Sequence, residues 1–498
     1  EKMIVLLKDL LIRQKNNSKV AIKKGNEEIN YKQWYKQSKI LEQEMYPFIK
    51  SSKNIAIFLP NSIEYAISYF SILFANRIVV PIGVQTMAPE LCSTLTYCEI
   101  DLIITSSMFL DKLKERLREY SYDITILIID GTPVIQTGQK HCPVPKSDLI
   151  FPKSEDDVAI MLHTSGTTSM PKRVMLSNRN IIKNIESNIQ SLELTNNDKT
   201  LISIPMYFGY CNTAQFLTQV YLGSSIYIYD GLFMPNVFFK IVQEEKITNF
   251  TAVPSILLMI LNYRYHDKYD ISSLKYIFFG GSSIPKQKLS LIMDKFSTIG
   301  FVQTYGQTEA SPRITALLPC DAYRKLGSVG KPIKNVNVSI RDDAGNEVAQ
   351  GQVGEVAVKG PNVMKGYYKR EDITEQTIID GWLYTGDLGF PDNEGYLYLT
   401  GREKNMIISG GINIYPEEIE EILLLHQNVL EVCVLSESHP LLGEVPIAKI
   451  VLRDKQYVPD FKKYCEDKLA AYKIPTKFYF VEELEKTYNG KIKRRKDE

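Results

Sequence analysis

An excess of charge of either sign is missing from this sequence. Fifty-nine lysines and arginines face 58 aspartates and glutamates, a formal net charge of +1 over 498 residues. That balance gives no electrostatic reason to expect nucleic acid or an anionic membrane surface as a partner. Cysteine is sparse: seven, at 92, 98, 142, 211, 320, 433 and 465, with no Cys-x-x-Cys. Neither a zinc site nor a disulfide framework is expected, and the pattern fits a reducing cytoplasm. Long hydrophobic runs are also lacking. The most apolar stretch, 65–84, is broken by Asn76-Arg77 and Pro81; it reads as a helix then a buried strand, not a membrane span. The first residues show no secretory signal pattern, so the cytoplasm is the expected location. There is no repeat period and no low-complexity segment.

What is present is the composition of a folded, water-soluble protein, 44% hydrophobic and 23% charged, long enough for two or more domains. Short apolar runs alternate with helical patterns: 54–59, 78–82, 102–105, 126–129 and 158–162, then 200–204, 225–229, 249–253, 276–279 and 299–303. Repeated β-α-β alternation predicts layered parallel sheets with ligand loops at the strand C-termini. Beyond about residue 326 the texture changes to short alternating strands (336–340, 354–358, 395–399), predicting a small β-subdomain. A helical and mixed tail begins near Lys404. The expected fold is α/β: a large N-terminal domain of layered β-sheets and helices with the small β-subdomain, 1–403, and a small α+β C-terminal domain, 404–498.

The strand 158–162 opens into Thr164-Ser165-Gly166-Thr167-Thr168-Ser169-Met170-Pro171-Lys172-Arg173. Backbone N–H groups and hydroxyls there could ring phosphate oxygens, with Lys172 as a point charge. It is not the Gly-x-x-x-x-Gly-Lys-Ser/Thr loop, and a polar surface loop is the alternative. Four further motifs follow: Tyr305-Gly306-Gln307-Thr308-Glu309, Tyr384-Thr385-Gly386-Asp387, Gly401-Arg402-Glu403-Lys404-Asn405 and Asn489-Gly490-Lys491. In this order and spacing, from about Tyr31 to Lys491, the chain resembles the adenylate-forming superfamily. That group includes acyl- and aryl-CoA synthetases, peptide-synthetase adenylation domains and beetle luciferases.

The resemblance implies ATP-dependent activation of a small-molecule carboxylic acid to an acyl-adenylate, then transfer to a thiol. The thiol is that of CoA or of a carrier-protein phosphopantetheine; a non-catalytic nucleotide-binding homologue is the remaining alternative. By resemblance, Thr164, Ser165, Gly166, Thr167, Thr168 and Lys172 hold the β- and γ-phosphates. Thr308 contacts phosphate, Glu309 holds Mg²⁺, Tyr305 stacks on adenine, and Gly281 and Ser282 border adenine and the acyl pocket. Asp387 would accept the ribose hydroxyls, with Arg402 beside ribose or phosphate. Lys491 would be the catalytic cation between the incoming carboxylate and ATP. Lys404 falls at the hinge of a mobile C-terminal domain, and Gly410 and Gly411 would line the thiol tunnel.

Two departures concern the loop and hinge. Arg173 stands where glycine is usual, leaving the loop conformation open, and Asn405 replaces an acidic residue common beside the hinge. The acyl pocket is expected from Tyr207, Phe208, Val253 and Thr304, with Tyr210 nearby; the aromatic residues could equally be core packing. Phe208 occupies a position where many acyl-CoA synthetases have histidine. No aspartate there suits an α-ammonium, so a free amino acid is disfavoured. Arg313 is expected at the surface, the alternative being contact with an anionic group of the substrate.

Overall fold

The computed structural model describes residues 5–49, 53–118, 124–130, 134–137, 154–164, 172–281, 284–410, 412–466, 468–486 and 492–494. The apolar runs become strands covered on both faces, as parallel strands flanked by helices require. Every residue of Asn54–Phe58, Ile78–Ile82 and Leu102–Thr105 is buried. These three, with Thr125–Ile129 and Val158–His163, pair in parallel within an eight-stranded sheet. A second sheet of nine strands carries Lys199–Ile202, Ser225–Ile228, Asn249–Ala252, Tyr276–Phe279 and Gly300–Gly306 in parallel. The alternation in the sequence is thus divided between two sheets. Periodicity alone does not reveal the division, because both halves repeat the same unit.

One core joins the two sheets. Ile55 and Ile57 from the first and Ile226, Phe278 and Val302 from the second belong to it. Trp34, Phe70, Tyr69 and Phe216 interlock within it, with edge-to-face contacts at 5.3 Å for Trp34–Phe70 and for Tyr69–Phe216. Such pairs add about 0.5–1.5 kcal/mol each beyond area burial.

After the loop that begins at Thr164, Arg173–Ser177 runs back antiparallel to Val158–His163. Thr164 N donates to Lys172 O at 3.2 Å, continuing the ladder between these two strands to their ends. The β-subdomain forms from Asn337–Arg341, Gly354–Lys359, Trp382–Pro391 and Leu397–Arg402, all antiparallel. The tail is α+β, as expected. It is mainly a five-stranded sheet, including Val429–His439 and Gly443–Leu452 in a long hairpin, with the helix Pro416–Leu424 packed on it. Its core, with Ile407, Ile414, Ile419, Leu423, Val434 and Ile450, draws on that part of the chain alone.

Candidate active site

The parallel strands end in the loops singled out from the sequence, and side chains from distant segments meet there. Asp387 lies opposite Arg402 in antiparallel register, and Arg402 Nε donates to Asp387 Oδ1 at 2.9 Å. Tyr305 Oη donates to the other oxygen, Oδ2, at 2.7 Å. Asp387 is only 6% exposed, yet each oxygen keeps acceptor capacity beyond these single bonds. The turn before it needs glycine: Gly386 has φ +72° and its N–H donates to Glu355 Oε1 at 2.8 Å. Asp387 pushes the Arg402 guanidinium further up, and burial, reinforced by Asp387, holds the Tyr305 phenol well above its ordinary value. Arg402 therefore stays charged and Tyr305 protonated near neutrality.

A second connection joins Lys172 to the metal-ligand candidate Glu309. Tyr367 Oη donates to Glu309 Oε1 at 2.9 Å, and Lys172 Nζ stands 5.0 Å over the Tyr367 ring. Tyr367 sits on the two-residue strand Gly366–Tyr367, paired antiparallel with Val174 and Met175. That pairing brings residue 367 beside the end of the hairpin. Nothing in the spacing of 309 and 367 signals it, so sequence reasoning missed Tyr367. Burial, with Glu309 adding, pushes its phenol well up, and it serves as a hydrogen-bond donor. Among the described residues, no group of three or more His, Cys, Asp or Glu could hold a metal ion. Glu309 alone suits Mg²⁺, which commonly uses one or two carboxylates together with substrate phosphates.

The loop after Lys199–Ile202 packs across both sheets. A Cβ on Gly209 would come within 2.9 Å of Thr308 Oγ1, and one on Gly83, at the end of Ile78–Ile82, within 2.6 Å of Tyr207. Tyr207 and Phe208 meet edge to face at 4.7 Å. Thr304 is buried; its hydroxyl is 2.9 Å from Tyr210 Oη and donates to Phe279 O at 3.0 Å. A Cβ on Gly280 would come within 2.3 Å of Thr304 O, so the strand ends at 279 and 304 are closely apposed. Val253 is half-buried and packs on the shared core, as do Phe208 and Tyr210.

Two arginines behave differently from their sequence reading. Arg313 is not at the surface but 2% exposed. Arg173, equally buried, donates to Thr94 Oγ1 at 2.8 Å. Asn405, for its part, donates to Glu417 Oε1 at 3.2 Å, joining the turn Glu403–Asn405 to the helix Pro416–Leu424. Lys404 is exposed in that turn, and Gly410 adopts φ +57° beside Leu442. Ser165, Gly166, Thr167, Thr168, Ser282, Gly411 and Lys491 lie outside the described residues.

These features define an adenylate-forming class of site, and the chain belongs to the AMP-binding enzyme family. That family's model matches residues 12–368, and the model of the AMP-binding enzyme C-terminal domain matches 418–491. More particularly, the chain is 32% identical over 481 residues to a 2-succinylbenzoate–CoA ligase of Bacillus cytotoxicus, covering 96% of this chain and 95% of that one. It is 32% identical over 484 residues to a long-chain-fatty-acid–CoA ligase of Bacillus subtilis, covering 90% and 85%. The solved O-succinylbenzoate coenzyme A synthetase of Bacillus subtilis, in complex with ATP and magnesium ion, matches with a TM-score of 0.86 at 28% identity over 98% of both chains. Among the described residues, no helix is long and apolar enough to cross a membrane.

Proposed function

We propose that this chain is an AMP-forming acid–thiol ligase whose two half-reactions use the groups gathered above. In the first, a carboxylate oxygen attacks the α-phosphorus of ATP, the bond to the β-phosphate bridging oxygen breaks, and pyrophosphate leaves. In the second, a thiol attacks the acyl carbon of the adenylate and AMP leaves. The observation that carries this reading is the meeting of Lys172, Tyr367 and Glu309 on one side and Tyr305, Asp387 and Arg402 on the other. One set suits a triphosphate, the other a ribose.

In this reading Asp387 accepts the ribose hydroxyls while Tyr305 and Arg402 hold its carboxylate still, and Tyr305 also faces adenine with Gly281 and Ser282. Thr164, Ser165, Gly166, Thr167, Thr168, Lys172 and Thr308 bind phosphate. Glu309, oriented by Tyr367, would hold Mg²⁺, which when bound neutralises charge on the phosphates. Tyr207, Phe208, Val253 and Thr304 line the acid pocket. Lys491 offsets repulsion between the carboxylate and the α-phosphate. Residues 404–498 form a mobile unit that turns about Lys404 between half-reactions and brings Gly410 and Gly411 to the thiol.

CoA is the acceptor, as in the CoA ligases the chain resembles, and 2-succinylbenzoate is the first acid to try. The six described cysteines are free, which fits a reducing compartment such as the cytoplasm. Acid-dependent ATP–pyrophosphate exchange over a panel of carboxylic acids tests the first half-reaction. Mass spectrometry of products formed with CoA or with a phosphopantetheinylated carrier protein tests the second. Exchange with no acid on the panel would refute the proposal.

A further inference from the structure

A catalytic cation close to a chain end needs its backbone fixed, because such segments fray unless they are tied down. Residues 492–494, which follow Lys491, are each held. Ile492 forms an antiparallel bridge with Lys486 and packs on the cluster that includes Cys433, Leu435 and Ile447. Lys493 N donates to Glu485 O at 2.8 Å. Arg494 reaches the helix Pro416–Leu424, where its Nη1 donates to Glu420 Oε1 at 2.7 Å and its Nη2 to Oε2 at 2.6 Å. Glu420 is buried, and its Oε1 also accepts from Val434 N, on the strand Val429–His439, at 2.7 Å. A two-pronged bond of this kind sets orientation as well as distance. A buried carboxylate that lost its cation would be left uncompensated.

The same guanidinium connects to the turn Glu403–Asn405. Glu417, three residues before Glu420 on that helix, has its Oε1 3.9 Å from Arg494 Nη1, and that oxygen accepts from Asn405 Nδ2 at 3.2 Å. Arg494 therefore faces two carboxylates on one side of the helix and offsets their repulsion. We propose that Glu420, through Arg494, is a positioning residue for the first half-reaction: the pair fixes 492–494 and thereby the point from which Lys491 reaches the α-phosphate. The inference rests on the adenylation reading above, in which Lys491 supplies the cation. One trans peptide, about 3.8 Å from Cα to Cα, separates Lys491 from the bridged Ile492, so release of the anchor is felt at the lysine. The second half-reaction, which does not use Lys491 in the proposed cycle, has no need of the pair.

The test is Arg494→Met, read in both half-reactions with an acid the wild type accepts. In ATP–pyrophosphate exchange its kcat should fall by about 10–100-fold, the cost of a small misplacement of a catalytic group. KM for ATP should not move, and CoA thioester formation from presynthesised acyl-adenylate should stay near the wild-type rate. Added to Lys491→Ala, the same substitution should cost exchange nothing further, because a residue that acts through Lys491 then has nothing to position. An unchanged exchange kcat in Arg494→Met, equal loss of both half-reactions, or a further loss in the double variant overturns the inference and leaves the adenylation reading intact. Exchange by the wild type with no acid overturns both. Should Arg494→Met fail to fold, Glu420→Gln, whose amide oxygen still accepts from Val434 N, is read against the same outcomes.

Discussion

Glu309 shows how much one side chain owes to a partner far away in the sequence. The Thr308-Glu309 motif was legible because it follows a strand end; Tyr367, which orients the carboxylate, was not, because strand pairing alone brings it close. Arg313 was misjudged for a related reason. An arginine amid apolar residues is ordinarily exposed, and only the packing of the helix Asn178–Leu192 and Tyr210 shows that this one is enclosed. Glu309→Gln should lower acid-dependent exchange by about 10²–10³-fold and raise the Mg²⁺ concentration needed for half-maximal rate. An unchanged Mg²⁺ requirement would remove Glu309 from the metal site. His163 offers a prediction on stability. Burial, reinforced by Arg173 adjacent on the neighbouring strand, holds its imidazole down at about 3 even with Glu90 Oε1 3.4 Å away on the helix Ala88–Tyr97. The folded state therefore binds fewer protons than the unfolded state between pH 6.5 and about 3. Stability is full above that window and falls as pH drops through it, by on the order of 1.4 kcal/mol per pH unit. In His163→Gln the Tm should depend less steeply on pH over this range; an identical slope would contradict the assignment.

At the scale of elements, the parallel strands were the most legible feature, since fully buried strands read as unbroken apolar runs. The hairpin partner Arg173–Ser177 was not, because it opens on Arg173, whose charge is hidden against Thr94. The tail's α+β character was legible, but its strand bounds were not, because charges such as Glu431, Glu437, Glu444 and Lys449 interrupt the apolar runs of the hairpin Val429–His439 and Gly443–Leu452. The turn Glu403–Asn405 carries the most specific prediction here. Its Asn405 takes the place of a carboxylate, and the contact with Glu417 supplies a reason: a second acid would face one already there. Asn405→Asp should weaken the junction by on the order of 1–2 kcal/mol at this half-buried site. Limited proteolysis within 403–406 should then be several times faster than in the wild type. An unchanged cleavage rate would show that the contact does not hold the junction.

For the whole molecule, the sequence disclosed the layering and the five motifs, while the partition into two sheets and the convergence of their loops belong to tertiary structure alone. The tail's self-contained core is what allows it to move as a unit in the proposed cycle. Arg494, three residues beyond Lys491, is tied to Glu420 by two bonds of 2.7 and 2.6 Å, anchoring the tail end within that unit. Adenylation and thiol transfer should therefore separate when Lys491 is removed. The most direct measurement is Lys491→Ala assayed in both half-reactions with an acid the wild type accepts. Acid-dependent ATP–pyrophosphate exchange should fall by about 10²–10³-fold, while CoA thioester formation from presynthesised acyl-adenylate stays within a few-fold of wild type. Exchange at the wild-type rate, or equal loss of both half-reactions, would contradict the account.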